Sequence, residues 1–186
     1  MSSYLSDLDH HKINATVYPG CVVELHHISD SANGQRKEAQ TKIWRVEKIL
    51  GKGSSAEVRL ETNQEGQEKR AVKRIWTSGA TLQKEYEREL MALLEFSKPK
   101  YKEAAVFVEF NGWFEDHDCV YLALEYMPLG DLEQNVPAKS RITEGEVRDI
   151  ASQILEGLRI MHLENFVHRD LKPKVNQLSI NFDTRI

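Results

Sequence analysis

His168-Arg169-Asp170-Leu171-Lys172-Pro173 lies 13 residues before the end of a 186-residue chain. The segment before it carries the marks of a long helix. Thr143 and Glu146, three positions apart, form a capping box. Val147, Ile150, Ala151, Ile154, Leu158 and Met161 then recur with a 3.6-residue period, giving one apolar stripe. Asn165 suits a left-handed helix terminator, so the hexapeptide is a loop that follows a helix.

Bulk composition narrows the classes. Hydrophobic residues make up 40% and charged residues 29% of the chain, ordinary values for a globular protein. A net charge of −4 gives no reason to expect nucleic acid or an anionic membrane as partner. The longest apolar run, Val120 to Leu124, is far short of a membrane span, and residues 1–11 lack the apolar core of a secretory signal. Cys21 and Cys119 are too few and too far apart for a disulfide framework or a zinc site, which fits an intracellular chain, cytoplasmic or nuclear. His26-His27 on a strand would point to opposite faces, against a metal pair; no metal ligands are assigned.

In chain order, residues 1–16 are polar and aperiodic and are expected to be disordered or loosely docked. Cys21–Ile28 reads as a short strand and Ser29–Thr41 as a loop. Ile43–Leu50, Ala56–Glu61 and Arg70–Trp76 read as strands, with an exposed hairpin loop around Gly66. Leu82, Tyr86, Leu90, Leu93 and Leu94 then mark a helix that Pro99 ends. Ala105–Phe110 and Val120–Tyr126 are two further strands joined through Glu115-Asp116-His117-Asp118. The order is five strands with one helix after the third, followed by helical sequence.

Leu50-Gly51-Lys52-Gly53-Ser54-Ser55-Ala56-Glu57-Val58 joins two of these strands, and its glycines let a backbone approach phosphates closely. Ala71-Val72-Lys73 puts a lysine on the third strand, 22 positions after Gly51, and Glu89 stands 16 positions further on the helix. Leu124-Glu125-Tyr126-Met127 leads into Gly130-Asp131-Leu132 and then into the His168–Pro173 loop. This series resembles the eukaryotic protein kinase family, Ser/Thr branch, from about Ile43 to Pro173. The resemblance implies an α+β fold: a small lobe of a five-stranded antiparallel sheet plus one helix, followed by the first helices of the large lobe. The corresponding boundaries are an N-terminal extension, partly disordered, over 1–42, the small lobe and hinge over 43–127, the start of the large lobe over 128–173, and a non-kinase tail over 174–186.

The resemblance also implies roles. Leu50, Gly51, Gly53, Val58 and Ala71 would enclose ATP, with Ala56 standing where a third glycine is usual. Lys73 would hold the α- and β-phosphates and pair with Glu89, which is preferred over Glu85 because Leu93 follows one turn on. The Glu125 carbonyl and Met127 N–H would bind the adenine edge, Leu124 would be the gatekeeper, and Asp131 would bond ribose hydroxyls. Asp170 would be the general base, Lys172 would neutralise γ-phosphate charge, and His168 would pack in a stack with Leu93 and Phe110. The implied activity is transfer of the ATP γ-phosphoryl group to protein Ser or Thr. The implied partners are ATP with Mg²⁺ and a protein substrate or regulatory protein.

The resemblance breaks after Pro173. The family's metal-holding asparagine, five positions after the aspartate, is Val175 here, and no Asp-Phe-Gly motif follows. Transfer by this polypeptide is therefore doubtful, and a non-catalytic nucleotide- or partner-binding chain is the alternative. The tail from Lys174 reads as a retained intron or a misassigned exon end, since Lys-Val-Asn can translate a splice donor.

Overall fold

The structure is a computed structural model that describes residues 2–28, 38–77, 80–135, 142–173, 177–178 and 184–185. It divides into two compact units, Met1–Leu94 with Phe110–Tyr126, and Glu95–Glu109 with Met127–Ile186.

The first unit is built on a seven-stranded antiparallel sheet. Its strands are β1 (Ala15–Tyr18), β2 (Cys21–Ile28), β3 (Glu38–Lys52), β4 (Ala56–Asn63), β5 (Lys69–Trp76), β6 (Phe110–Glu115) and β7 (Cys119–Glu125), in spatial order β1-β2-β3-β4-β5-β7-β6. Helix α1 (Ser2–His10) precedes them and α2 (Ala80–Phe96) follows β5. Four expectations change. Residues 1–16, expected to be disordered or loosely docked, form α1 and the start of β1. Glu38–Thr41, read as loop, pair with β2, while 29–37 lie outside the described residues. The five-stranded lobe sheet is extended by two strands of the N-terminal extension, β2, expected as a strand over Cys21–Ile28, and β1, which was not expected. The strand expected at Ala105–Phe110 lies instead at Phe110–Glu115. Val106 and Phe107 are drawn elsewhere, because Ala105 turns the chain with φ +51° and Phe107 stacks on Phe96 at 4.5 Å.

The two ends of the sheet meet. Lys12 bridges Trp113 of β6 in parallel, with Ile13 N–H donating to the Trp113 carbonyl at 2.7 Å and Trp113 N–H donating to the His11 carbonyl at 3.0 Å. This contact covers the outer edge of β6 at Trp113. Gly112 permits it. Its φ is +132°, and a Cβ there would lie 2.7 Å from the His11 carbonyl oxygen and 2.8 Å from Ile13 Cγ1.

The closed sheet has two faces with separate cores. Inside lie Val22, Trp44, Val72, Phe114, Cys119, Tyr121 and Ala123, with Phe114 and Tyr121 stacked at 4.8 Å. The other face meets α2 through Ile75, Leu90, Leu94, Phe110, Trp113, Val120 and Leu122. At the tight β6–β7 turn, burial works against the Asp116 carboxylate. The Tyr121 hydroxyl at 2.7 Å and the N–H groups of Asp118 and Cys119 outweigh it and hold its pKa below the usual range.

Charge is buried inside as well. Arg70 donates from Nε to Glu61 Oε2 at 2.9 Å and from Nη1 to Glu24, and its Nη2 stands 2.8 Å from Glu61 Oε2 as an ion pair. Arg59 Nε stands 2.7 Å from Glu61 Oε1. All four side chains are less than a tenth exposed, and the two cations balance the two anions. Removing one member strands the others, which costs far more than the net worth of the intact pair. Arg70→Met is therefore expected to lower the unfolding free energy by about 3–5 kcal/mol. Arg148→Met, at an exposed helix pair, should change it by less than about 0.5 kcal/mol. Urea unfolding of both variants measures the contrast.

In the second unit, α3 (Pro99–Lys102) begins at the proline expected to end α2, with Pro99 in its first turn. Helices α4 (Leu132–Asn135) and α5 (Glu144–Leu163) follow, then the two-residue strands β8 (Gln177–Leu178) and β9 (Thr184–Arg185), which pair antiparallel. The expected capping box is present: Thr143 Oγ1 accepts from Glu146 N–H, and Glu146 Oε2 accepts from Thr143 N–H at 2.8 Å. Asn165 is left-handed, with φ +62°. Of the α5 stripe, Met161 is buried and Ile150, Ile154 and Leu158 are half-buried, while Val147 and Ala151 are exposed.

Candidate functional site

The glycine-bearing hairpin forms between β3 and β4. Two register shifts in β3, at Val46/Lys48 and Ile49/Gly51, bring Leu50 and Gly51 to the turn. The turn closes when Gly53 N–H donates to the Ala56 carbonyl at 2.8 Å. Neither glycine has a left-handed φ. A Cβ at Gly51 would meet nothing within 4 Å, and one at Gly53 would meet only the Ala56 carbonyl at 3.6 Å. Packing within the chain does not demand glycine at either position. What the two glycines leave is bare backbone open to a close approach from outside.

Strand register carries the hairpin to the lysine. Gly51 lies opposite Val58, Val58 opposite Lys73, and Lys73 opposite Leu122. Ala71 lies between Leu60 and Leu124 in the same way. Directly opposed residues share a face, so Val58, Ala71 and Lys73 stand on the face that meets α2. Lys73 Nζ donates to both Glu89 carboxylate oxygens, at 2.6 and 2.7 Å. The Lys73 side chain is 29% exposed and that of Glu89 36%. A pair this open to water is worth about 0.2–1 kcal/mol. It reports where α2 sits rather than holding it there. The side chain of Glu85, the competing choice, lies outside the described residues.

Glu125 ends β7 opposite Arg70 and is half-buried. In the second unit, Met127 is buried and its carbonyl accepts from Gly130 N–H at 3.1 Å, closing a turn with Gly130 at φ +74°. Asp131, also buried, has a local task that its expected ribose role does not include. It caps α4, accepting from Gln134 N–H at 2.8 Å and from Gln134 Nε2 at 3.3 Å.

The His168–Pro173 loop follows the end of α5. Phe166 N–H donates to the Met161 carbonyl at 2.8 Å, and its ring meets Phe96 edge-on at 5.2 Å. Arg169 is left-handed, φ +63°, an uncommon conformation for a residue with a long side chain. Asp170 N–H donates to His168 Nδ1 at 3.4 Å. Lys172 Nζ donates to both Asp170 oxygens at 2.8 Å, and this contact holds the Asp170 carboxyl below its ordinary pKa. Phe110 belongs to the cluster against which Leu93 packs, as expected of that pair.

The protein kinase domain family matches residues 44–178. The chain belongs to the protein kinase family. It is 30% identical over 154 residues to an inactive serine/threonine-protein kinase, PLK5, of Mus musculus, covering 81% of this chain and 25% of that protein. It is 33% identical over 127 residues to calcium-dependent protein kinase 4 of Plasmodium falciparum (68% of this chain, 24% of that protein). It is 31% identical over 128 residues to a calcium/calmodulin-dependent protein kinase type 1 of Macrobrachium nipponense (68% and 35%). The chain thus spans about a quarter to a third of the length of these relatives. The family match begins at Trp44, so α1, β1 and β2 lie before it.

Sequence reasoning missed the buried Glu24–Arg70–Glu61 network and the closure at Gly112, neither of which has a local signature. No described helix is long and apolar enough to cross a membrane. The Asp170–Lys172 contact has a pH signature. Its carboxylate form is favoured by the lysine, so the contact is complete above the ordinary aspartate range and is lost as pH falls through the depressed pKa. The Asp170 side-chain carboxyl, followed by NMR, should titrate below an ordinary aspartate, and Lys172→Met should move its midpoint up.

Proposed function

We propose that this chain is an ATP-binding protein of the Ser/Thr kinase type whose Lys73–Glu89 pair receives the α- and β-phosphates. The observation that carries the reading is the two-oxygen contact between Lys73 Nζ and Glu89. It holds the ammonium on the α2 face of the sheet, in register with Val58 and Gly51. Leu50, Gly51, Gly53, Val58 and Ala71 would enclose the nucleotide. The Glu125 carbonyl and Met127 N–H would take its adenine edge and Asp131 its ribose. In the full-length family, Asp170 would accept the proton of a protein Ser or Thr hydroxyl, while Lys172 would offset the charge on the transferring γ-phosphoryl group.

For these 186 residues, we infer nucleotide binding without measurable turnover. The position that would supply a metal-holding asparagine is Val175. Among the described residues, no group of three or more His, Cys, Asp or Glu could hold a metal ion. The family's asparagine contribution to a Mg²⁺ site is therefore missing from this chain. Lys172 spends its charge on Asp170, which makes that carboxylate a poorer base. These observations favour the second reading, a non-catalytic nucleotide- or partner-binding chain, for this polypeptide.

ATP should raise the melting temperature of the chain, and Lys73→Met should abolish the rise. Absence of any ATP-dependent rise in the unmodified chain would sink the nucleotide reading. Phosphate transfer to a generic protein substrate should be at background in both the unmodified chain and Asp170→Asn; a clear drop in the variant would show that the chain turns over.

A further inference from the structure

The segment before the family region is joined to the sheet that carries the site. Helix α1 ends against β6, where Trp113 Nε1 donates to the Leu8 carbonyl at 3.0 Å. His11 stacks on Phe110 with ring centroids 5.7 Å apart. Lys12 Nζ lies 2.6 Å from Glu115 Oε1 and 4.8 Å from the centre of the Trp113 ring. The half-buried Leu8 side chain packs against the cluster formed by Ile75, Leu90, Leu94, Phe110, Trp113, Val120 and Leu122. Leu90 and Leu94 of that cluster belong to α2, and Leu90 directly follows Glu89.

The Lys73–Glu89 contact is too exposed to fix α2 by itself. The helix is placed by its apolar face, and Leu8 packs against the cluster that this face shares with β5, β6 and β7. We propose that residues 2–13 form an intramolecular strap that seats α2 and so keeps Glu89 opposite Lys73, with Leu8 as its positioning residue. Gly112 is the device that lets the strap lie flat, since any side chain there would strike the His11 backbone. The strap sets how well the site is assembled without touching a ligand.

Amide hydrogen exchange of the full 186-residue chain tests the strap directly. Leu8→Asp should speed exchange across α2 by about 10-fold while leaving β4 and β5 unchanged, and Leu8→Met should behave as the unmodified chain. Unchanged α2 exchange overturns the proposal, as does equal loosening of α2 and the sheet, which would make Leu8 a general stability residue. A second arm, which rests on the nucleotide reading, uses ADP as the probe. Leu8→Asp should weaken ADP binding by about 5-fold or more in the parent, and by less than about 2-fold in a Glu89→Ala background, because both changes act through one pair. A full effect in that background overturns the route through Glu89. Failure of the unmodified chain to bind ADP removes the nucleotide reading, and the exchange arm still decides the strap.

Discussion

Arg70 is the side chain on which the first unit depends. Its guanidinium is buried on the inner face of the sheet, 4.0 Å from the centre of the Trp44 ring, with Nε directed at Glu61 and Nη1 at Glu24. An arginine remains charged in any protein interior, so β5 can occupy this place only if both carboxylates are there. Glu61 comes from β4, the neighbouring strand. Glu24 comes from β2, outside the family region, and so the extension is tied to the sheet by charge as well as by backbone pairing. A shift of β2 by one residue would turn Glu24 to the opposite face and leave the guanidinium without one of its two carboxylates.

The same strand carries Lys73 three positions on, and alternation sends it to the opposite face. There the balance of forces is reversed. Lys73 and Glu89 are both partly in water, so their attraction is screened and small, and the lysine can turn to another anion at little cost. Arg70 is fixed because leaving its partners is prohibitive, and Lys73 is available because leaving its partner is cheap. One strand thus couples a rigid interior to a responsive face, and the position of α2 decides whether Glu89 is in reach.

Local signals made much of this legible in the sequence. The capping box at Thr143 and Glu146, the left-handed Asn165 and the hairpin around Gly66 each depend on residues a few positions apart, and each is found where expected. The resemblance to protein kinases, not a local rule, implied the Lys73–Glu89 pairing, and the two side chains are in contact. What was not legible is non-local or inverted. Arg59, Glu61 and Arg70 alternate as a solvated strand face would, yet that face points into a closed sheet. The closure joins Lys12 to Trp113, a hundred residues away, and the polar sequence of 1–16 gives no sign of it. Ala105–Phe110 is apolar enough for a strand, but Phe96 and Tyr101 offer its Phe107 an aromatic cluster instead.

The two candidate centres therefore rest on different physics. Lys73 and Glu89 are brought together by sheet register and helix packing, both long-range. The Asp170 loop is set by local geometry: a capped 20-residue helix, long enough to be locally persistent, then a left-handed Asn165 and a left-handed Arg169 that turn the chain. Burial concentrates at the end of α5 nearest the loop, at Gly157, Ile160 and Met161, while Val147 near its start is half exposed. The loop is anchored where the helix is best held. Its charged tips are in water, so the Asp170–Lys172 contact is screened and easily opened. A phosphate brought to the loop would compete with Asp170 for Lys172, and the aspartate would then regain the basicity that the lysine suppresses.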